Sequence, residues 1–264
     1  MNDTIAITTV CGKARTDRAP MYYIRPLLDL LQAHSEHSHS FCDPEEHAPL
    51  IVWSWGYFKC VLWSLGIDTH QINPRDIAKQ YFDGDLWLSD SSFFAQPSAI
   101  EARQPILYAT WLLKAYVIYE MLAYYDGVIW LDCAYRVSYF NNHNIDRYIR
   151  NDNRRADVCR FVARVRQWLK HSQVVLAGEQ IPKGISLDNA HNVRPIAGCF
   201  LAVRQDCRDD IWSAITNIHR ELVRNKKLST DEAVWALACR EVATVQSVQQ
   251  WDAALYGNDH SIQE

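Results

Sequence analysis

The sequence has no long apolar run. None of its windows approaches the roughly 18 to 20 consecutive apolar residues that span a bilayer, and the amino terminus, MNDTIAITTV, has neither the basic segment nor the apolar stretch of a secretory signal. A soluble, cytoplasmic chain without a transmembrane segment is expected. A dominant charge is lacking too: 27 basic residues against 31 acidic ones leave a net charge of -4, too weak a field to recruit nucleic acid or an anionic membrane. The eight cysteines, at positions 11, 42, 60, 133, 159, 199, 207 and 239, form no CxxC or other zinc spacing and no small disulfide framework. They read as reduced, mostly buried thiols. Glycine and proline number nine each, and no linker, repeat or low-complexity tract divides the chain, so residues 1–264 read as one domain with inserted loops.

What the chain does have is apolar and aromatic material. Apolar residues make up 48% of the 264 positions, enough for a well-buried core, and 10 Trp and 13 Tyr supply large packing surfaces that also suit stacking on bases or sugar rings. Short β-branched runs alternate with longer helical patterns. Thr4 to Val10 and Leu50 to Gly56 read as strands, and a helix starts at Pro26. A compact apolar segment follows the second strand and stops at Gly66. Residues 34–47 and 72–98 read as loops. Leu107, Trp111, Ala115, Ile118, Leu122 and Tyr125 recur at helical intervals up to Gly127, and Ala156 to Lys170 is a second such helix. Val174 to Ala177 and Pro195 to Val203 are strand candidates. Ile211 to Leu222 marks a further helix, and a last one begins near Ser229. This alternation predicts an α/β fold, a mixed and mostly parallel sheet with helices on both faces.

The chemistry begins at GVIWLDCAYRV, residues 127–137. Val128 to Leu131 is apolar on both faces, as in a buried strand, and it stops on Asp132. A carboxylate directly after four buried residues must be solvated by a cleft, a partner or a ligand, and ligands of α/β sheets bind beyond the carboxyl ends of the strands. Turn capping is the competing structural role.

The segment WLLKAYVIYEMLAYYDGVIWLDCAYRV, which carries Lys114, resembles the core of GT-A-fold glycosyltransferases acting on nucleotide-sugar donors. So do RPIAGCFLAVR, residues 194–204, and STDEAVWALA, residues 229–238. The resemblance implies a Rossmann-like GT-A fold, a nucleotide-sugar donor, a glycan or other hydroxyl acceptor, and a role in glycan biosynthesis. It also implies an Asp-x-Asp motif holding Mn²⁺ or Mg²⁺. Asp132 matches the first acid of that motif, but Ala134 stands at the second position, and neither Cys133 nor Ala134 offers the oxygen ligand that a hard cation prefers. Either Asp132 holds the metal with remote ligands and water, or cationic side chains replace it. Lys114, Arg136, and Arg15 with its neighbours Lys13 and Arg18 are the candidates for meeting the charge of a departing nucleoside diphosphate. The literal Asp83-Gly84-Asp85 reads as a solvated turn and is the competing metal site.

An inverting transferase needs a base for the acceptor hydroxyl. In the family's acidic helix start, Asp231 and Glu232 are the candidates. Ser229-Thr230-Asp231-Glu232 is also a capping box in which Glu232 reaches back to Ser229, which leaves Asp231 as the favoured base. Gly198, inside a strand, marks either close approach of a sugar or a bulge. His34, His37, His39 and His47 fit no established metal motif, and His191 and His219 stand as remote ligand candidates. Two rivals accompany this reading: an aspartate-dependent phosphohydrolase with Asp132 as nucleophile, and a non-catalytic carbohydrate-binding protein on a degenerate transferase fold.

Overall fold

Five consecutive residues that all prefer burial, Gly127 to Leu131, leave a strand no choice but the interior of a sheet covered on both sides. The computed structural model describes residues 4–11, 48–55, 57–73, 76–77, 104–132, 158–178, 197–225 and 231–248, together with residues 24, 27, 28, 30–32, 34, 35, 80 and 186. Its elements are β1 (Ile5–Cys11), β2 (Leu50–Ser54), α1 (Tyr57–Ser64), β3 (His70–Gln71), α2 (Gln104–Met121), β4 (Gly127–Leu131), α3 (Val158–His171), β5 (Val174–Ala177), β6 (Ala197–Arg204), α4 (Arg208–Arg224), α5 (Asp231–Val242) and β7 (Val245–Val248). Between β1 and β2, residues 24, 27, 28, 30–32, 34 and 35 are helical.

The seven strands form one sheet in the order β3-β2-β1-β4-β6-β5-β7. Every pairing is parallel except the two made by β6, which runs antiparallel to both β4 and β5. Strand alternation sorts the core into layers. Ala6 and Val10 of β1, Val128 and Trp130 of β4, and Leu201 and Val203 of β6 face α2, α4 and α5. Ile5, Ile7, Ile129, Leu131, Phe200 and Ala202 face α3 on the other side, where Phe161, Val162, Val165 and Leu169 cover them. Helices therefore cover both faces, as the alternating sequence pattern predicts. Among the described residues no helix is long and apolar enough to cross a membrane.

The amino edge of the sheet is tied by short polar contacts. Asp126 Oδ2 accepts from the Thr4 backbone N–H at 2.8 Å and from the Thr4 hydroxyl at 2.9 Å, which fixes the register of β1 against β4. Gln173 Oε1 accepts from the Thr244 N–H at 3.0 Å, and the Gln173 carbonyl accepts from the Arg204 N–H at 2.8 Å, joining the ends of β5, β6 and β7. Arg208 donates from Nε to the Tyr119 carbonyl at 2.9 Å and lies 3.8 Å from the Tyr119 ring, which stacks on Trp212 at 5.0 Å. These contacts bind α4 to α2.

Three sequence expectations need correction. The long helix ends at Met121, and Gly127 opens β4 instead of stopping the helix; residues 122–125 close the helix with turn bonds to Ile118, Glu120 and Met121. A Cβ at Gly127 would sit 3.2 Å from Leu169 and 3.3 Å from Ile5, so tight helix-to-sheet packing explains the glycine. Gly66 does end α1, with a φ of 74° that a side chain would strain. The edge strands β3 and β7 went unread, because two and four half-polar residues are too short for a periodic signal. Cys11, Cys207 and Cys239 are buried free thiols as expected, whereas Cys60 is an exposed one.

His219, on the inner side of α4, is fully buried, and loss of hydration pushes its imidazole down to about 4. Unfolded histidine takes its proton near pH 6.5. Between those values the unfolded chain binds the proton and the native chain does not, so stability falls as pH drops from 6.5 to about 4 and levels below that. One such site contributes a slope of about 1.4 kcal/mol per pH unit. We expect His219→Gln to flatten the stability profile from chemical denaturation between pH 6.5 and 4 by up to that slope; an unchanged profile would show that His219 takes up its proton in the native state.

Candidate functional site

β1 pairs with β2 on one side and with β4 on the other, and the chain leaves its carboxyl end in one direction and returns in the opposite one. In open α/β sheets such a divergence opens a crevice, the usual ligand position, and here it falls at the carboxyl ends of β1 and β4. Asp132 follows Leu131, the last residue of β4, and stands at that crevice.

Alternation decides which way its side chain faces. Val128 and Trp130 point to the α2 side of the sheet, and Asp132 shares their parity. The Trp130 indole donates from Nε1 to Asp132 Oδ1 at 2.8 Å. α2 brings Lys114 to the same oxygen, with Nζ 3.7 Å from Oδ1 and 5.4 Å from the centre of the Trp130 ring. The Lys114 side chain is 6% exposed and that of Asp132 42% exposed. The ammonium is thus a fixed interior charge, and the carboxylate is its link to solvent.

Why a lysine stands inside α2 is an energetic question. Its neighbours Leu112, Leu113, Ala115 and Val117 are all buried, as in a helix that is apolar on every side. At 3.7 Å the pair attracts by about 4 kcal/mol at an effective dielectric of about 20, and the Trp130 ring adds about 1 kcal/mol. Dehydrating the ammonium costs several kcal/mol. These are of similar size, so the contacts with Asp132 and Trp130 by themselves add little stability over a methionine of the same length. A costly group with no stability advantage points to a functional use of the charge.

The remaining expected site residues divide by position. Gly198 is the second residue of β6; because Phe200 pairs with Leu131 antiparallel, Gly198 lies at the same edge as Asp132. Asp231 is the first residue of α5, and Glu232 beside it is half-buried. α5 ends at Val242, close before β7 enters the sheet at its amino edge, so its start leads back toward the carboxyl edge. Arg136, Arg15, Lys13 and Arg18 lie outside the described residues, as do Asp83, Asp85 and Ser229. His34 donates from Nε2 to the Ala48 carbonyl at 2.7 Å, a structural use, while His37, His39, His47 and His191 lie outside the described residues. Among the described residues no three of His, Cys, Asp and Glu gather as a metal site.

The part that reading the sequence missed is Trp130. Its signal was present as Trp-x-Asp at the end of a strand, a spacing that puts both side chains on one face and within hydrogen-bond reach.

Removing Asp132 takes away the carboxylate that faces a buried ammonium. We expect Asp132→Ala to cost about 1–3 kcal/mol, less than for a fully buried pair because Asp132 is partly hydrated. Adding Lys114→Met should restore most of that loss. A double-mutant cycle by urea unfolding measures this; additive losses would show that the two side chains are not coupled.

No family model matches the sequence, and no curated protein sequence matches it. The structure is similar to the apo crystal structure of mouse xyloside xylosyltransferase 1, with a TM-score of 0.52 over 93% of this chain and 85% of that one, at 9% sequence identity. At that identity the likeness speaks for the fold, and the fold of this chain is GT-A-like.

Proposed function

We propose that this protein is a glycosyltransferase that moves a monosaccharide from a nucleotide-sugar donor to a hydroxyl acceptor. The observation that carries the reading is Asp132, held by Lys114 and Trp130 at the carboxyl ends of β1 and β4 in a GT-A-like sheet. The ribose and diphosphate of the donor bind there, with Asp132 accepting a hydroxyl. Arg136 and Arg15 meet the diphosphate charge. Gly198 gives the sugar close access to the backbone at the neighbouring edge.

The acceptor enters on the side of α5. The Asp231 carboxylate takes the proton of the acceptor hydroxyl as its oxygen attacks the anomeric carbon, while the bond from that carbon to the diphosphate oxygen breaks and the nucleoside diphosphate leaves with the electron pair. Glu232 caps the helix and orients Asp231. Arg136 and Arg15 meet the charge that develops on the leaving group in the transition state.

A thermal-shift screen against UDP-, GDP-, dTDP- and CMP-sugars, each with and without Mn²⁺, tests the donor site. One donor class should raise the melting temperature, since a ligand that binds only the native state must stabilise it, and Asp132→Ala should reduce the shift. In a transfer assay with that donor, Asp231→Asn should lower kcat by about 10²–10⁴-fold with donor binding intact. Stabilisation by none of the four classes would overturn the reading.

A further inference from the structure

The fold family implies a divalent cation between the donor diphosphate and paired carboxylates, and among the described residues those at the end of β4 do not fit one. Asp132 Oδ1 already accepts the Trp130 N–H at 2.8 Å and faces the Lys114 ammonium at 3.7 Å. An Mn²⁺ or Mg²⁺ ion coordinated by Oδ1 would lie about 2 Å from it, and hence no more than about 6 Å from a buried ammonium. The next residues along the chain, Cys133 and Ala134, offer no side-chain oxygen. A hard ion would gain one shared carboxylate and meet a fixed positive charge.

We infer, building on the transferase reading, that the donor site works without a divalent cation because Lys114 takes over its electrostatic role. In a metal-bridged site the cation lets two anions, carboxylate and diphosphate, approach each other. Here Asp132 is the carboxylate at the end of β4, and Lys114 faces it from inside the fold. The diphosphate therefore meets a carboxylate that already faces a cation rather than a bare anion, and Asp132 acts through its exposed side as a hydroxyl acceptor. Lys114 itself, almost fully covered, does not touch the donor; it is a positioning residue that sets the charge and orientation of Asp132. α2 is suited to this, because the helix is anchored through the Arg208 contact to Tyr119 and its lysine is packed against the Trp130 ring.

Two measurements on the full chain test this. In the first, Mn²⁺ alone is titrated and followed by electron paramagnetic resonance. Wild type and Asp132→Asn should give the same free-ion signal; a wild-type site tighter than about 100 μM that disappears in Asp132→Asn would overturn the inference. In the second, binding of UDP, GDP, dTDP and CMP is measured by calorimetry in EDTA and in Mn²⁺. The nucleotide that binds should do so within about twofold in the two conditions, and a loss of about tenfold or more in EDTA would overturn the inference. Lys114→Met should weaken that nucleotide about tenfold by exposing it to an uncompensated carboxylate, Lys114→Arg should recover it, and Lys114→Met with Asp132→Asn should recover it as well. Urea unfolding of each variant separates this from loss of structure: the weaker binding of Lys114→Met should persist under conditions where that variant is fully folded, and failure of the rescue, or a loss that tracks unfolding alone, counts against the inference. If none of the four nucleotides binds in either condition, the transferase reading falls, while the Mn²⁺ titration still decides whether Asp132 is a metal ligand.

Discussion

The pairing of β1 with β4 is the contact on which the arrangement depends. β1 is flanked by β2 on one side and β4 on the other, so the chain must diverge at its carboxyl end, and in open α/β sheets such a divergence is where a crevice forms. Pairing with β1 and β6 puts β4 in the middle of the sheet, where helices cover both faces, which is why the first residue that can carry a charge is the one just past its end. The position of Asp132 is a consequence of strand length and sheet order together.

The two edges of the sheet are built differently. At the amino edge, Asp126 with Thr4 and Gln173 with Thr244 and Arg204 satisfy backbone groups and fix the register. At the carboxyl edge, the polar groups on β4 are engaged with one another, through Trp130, Asp132 and Lys114, in a cluster whose attraction roughly offsets its dehydration. One edge holds the fold and the other holds a charge ready for use. The antiparallel strand β6 matters here as well, since its reversed direction carries Gly198 to the carboxyl edge beside Asp132.

Much of the fold was legible because burial leaves a local trace. Val128 to Leu131 and Val174 to Val175-Leu176-Ala177 are continuous apolar runs, and both are strands; α2 and α3 show helical recurrence, and both are helices. The direction of β6 was not legible, because alternation along a strand is the same whichever way the strand runs. β3 and β7 owe their place to pairing with β2 and β5 rather than to any pattern of their own. At the site, Asp132 was legible as a charge ending an apolar run. The burial of Lys114 could be suspected from its apolar neighbours, but its partner, 18 positions later in the chain, is set by how α2 lies on the sheet. That relation belongs to tertiary packing, and no spacing in the sequence encodes it.

The central claim is that the carboxyl ends of β1 and β4 form the donor site, with Asp132 as its hydroxyl acceptor. A crystal structure of the protein with a bound nucleoside diphosphate tests it most directly. The account predicts the nucleotide in that crevice, a ribose hydroxyl or phosphate within hydrogen-bond distance of Asp132, and Lys114 still facing Oδ1. A nucleotide bound elsewhere, for instance in the groove beside β2 lined by Asp68, Thr69 and His70, with the crevice at Asp132 empty, would contradict it.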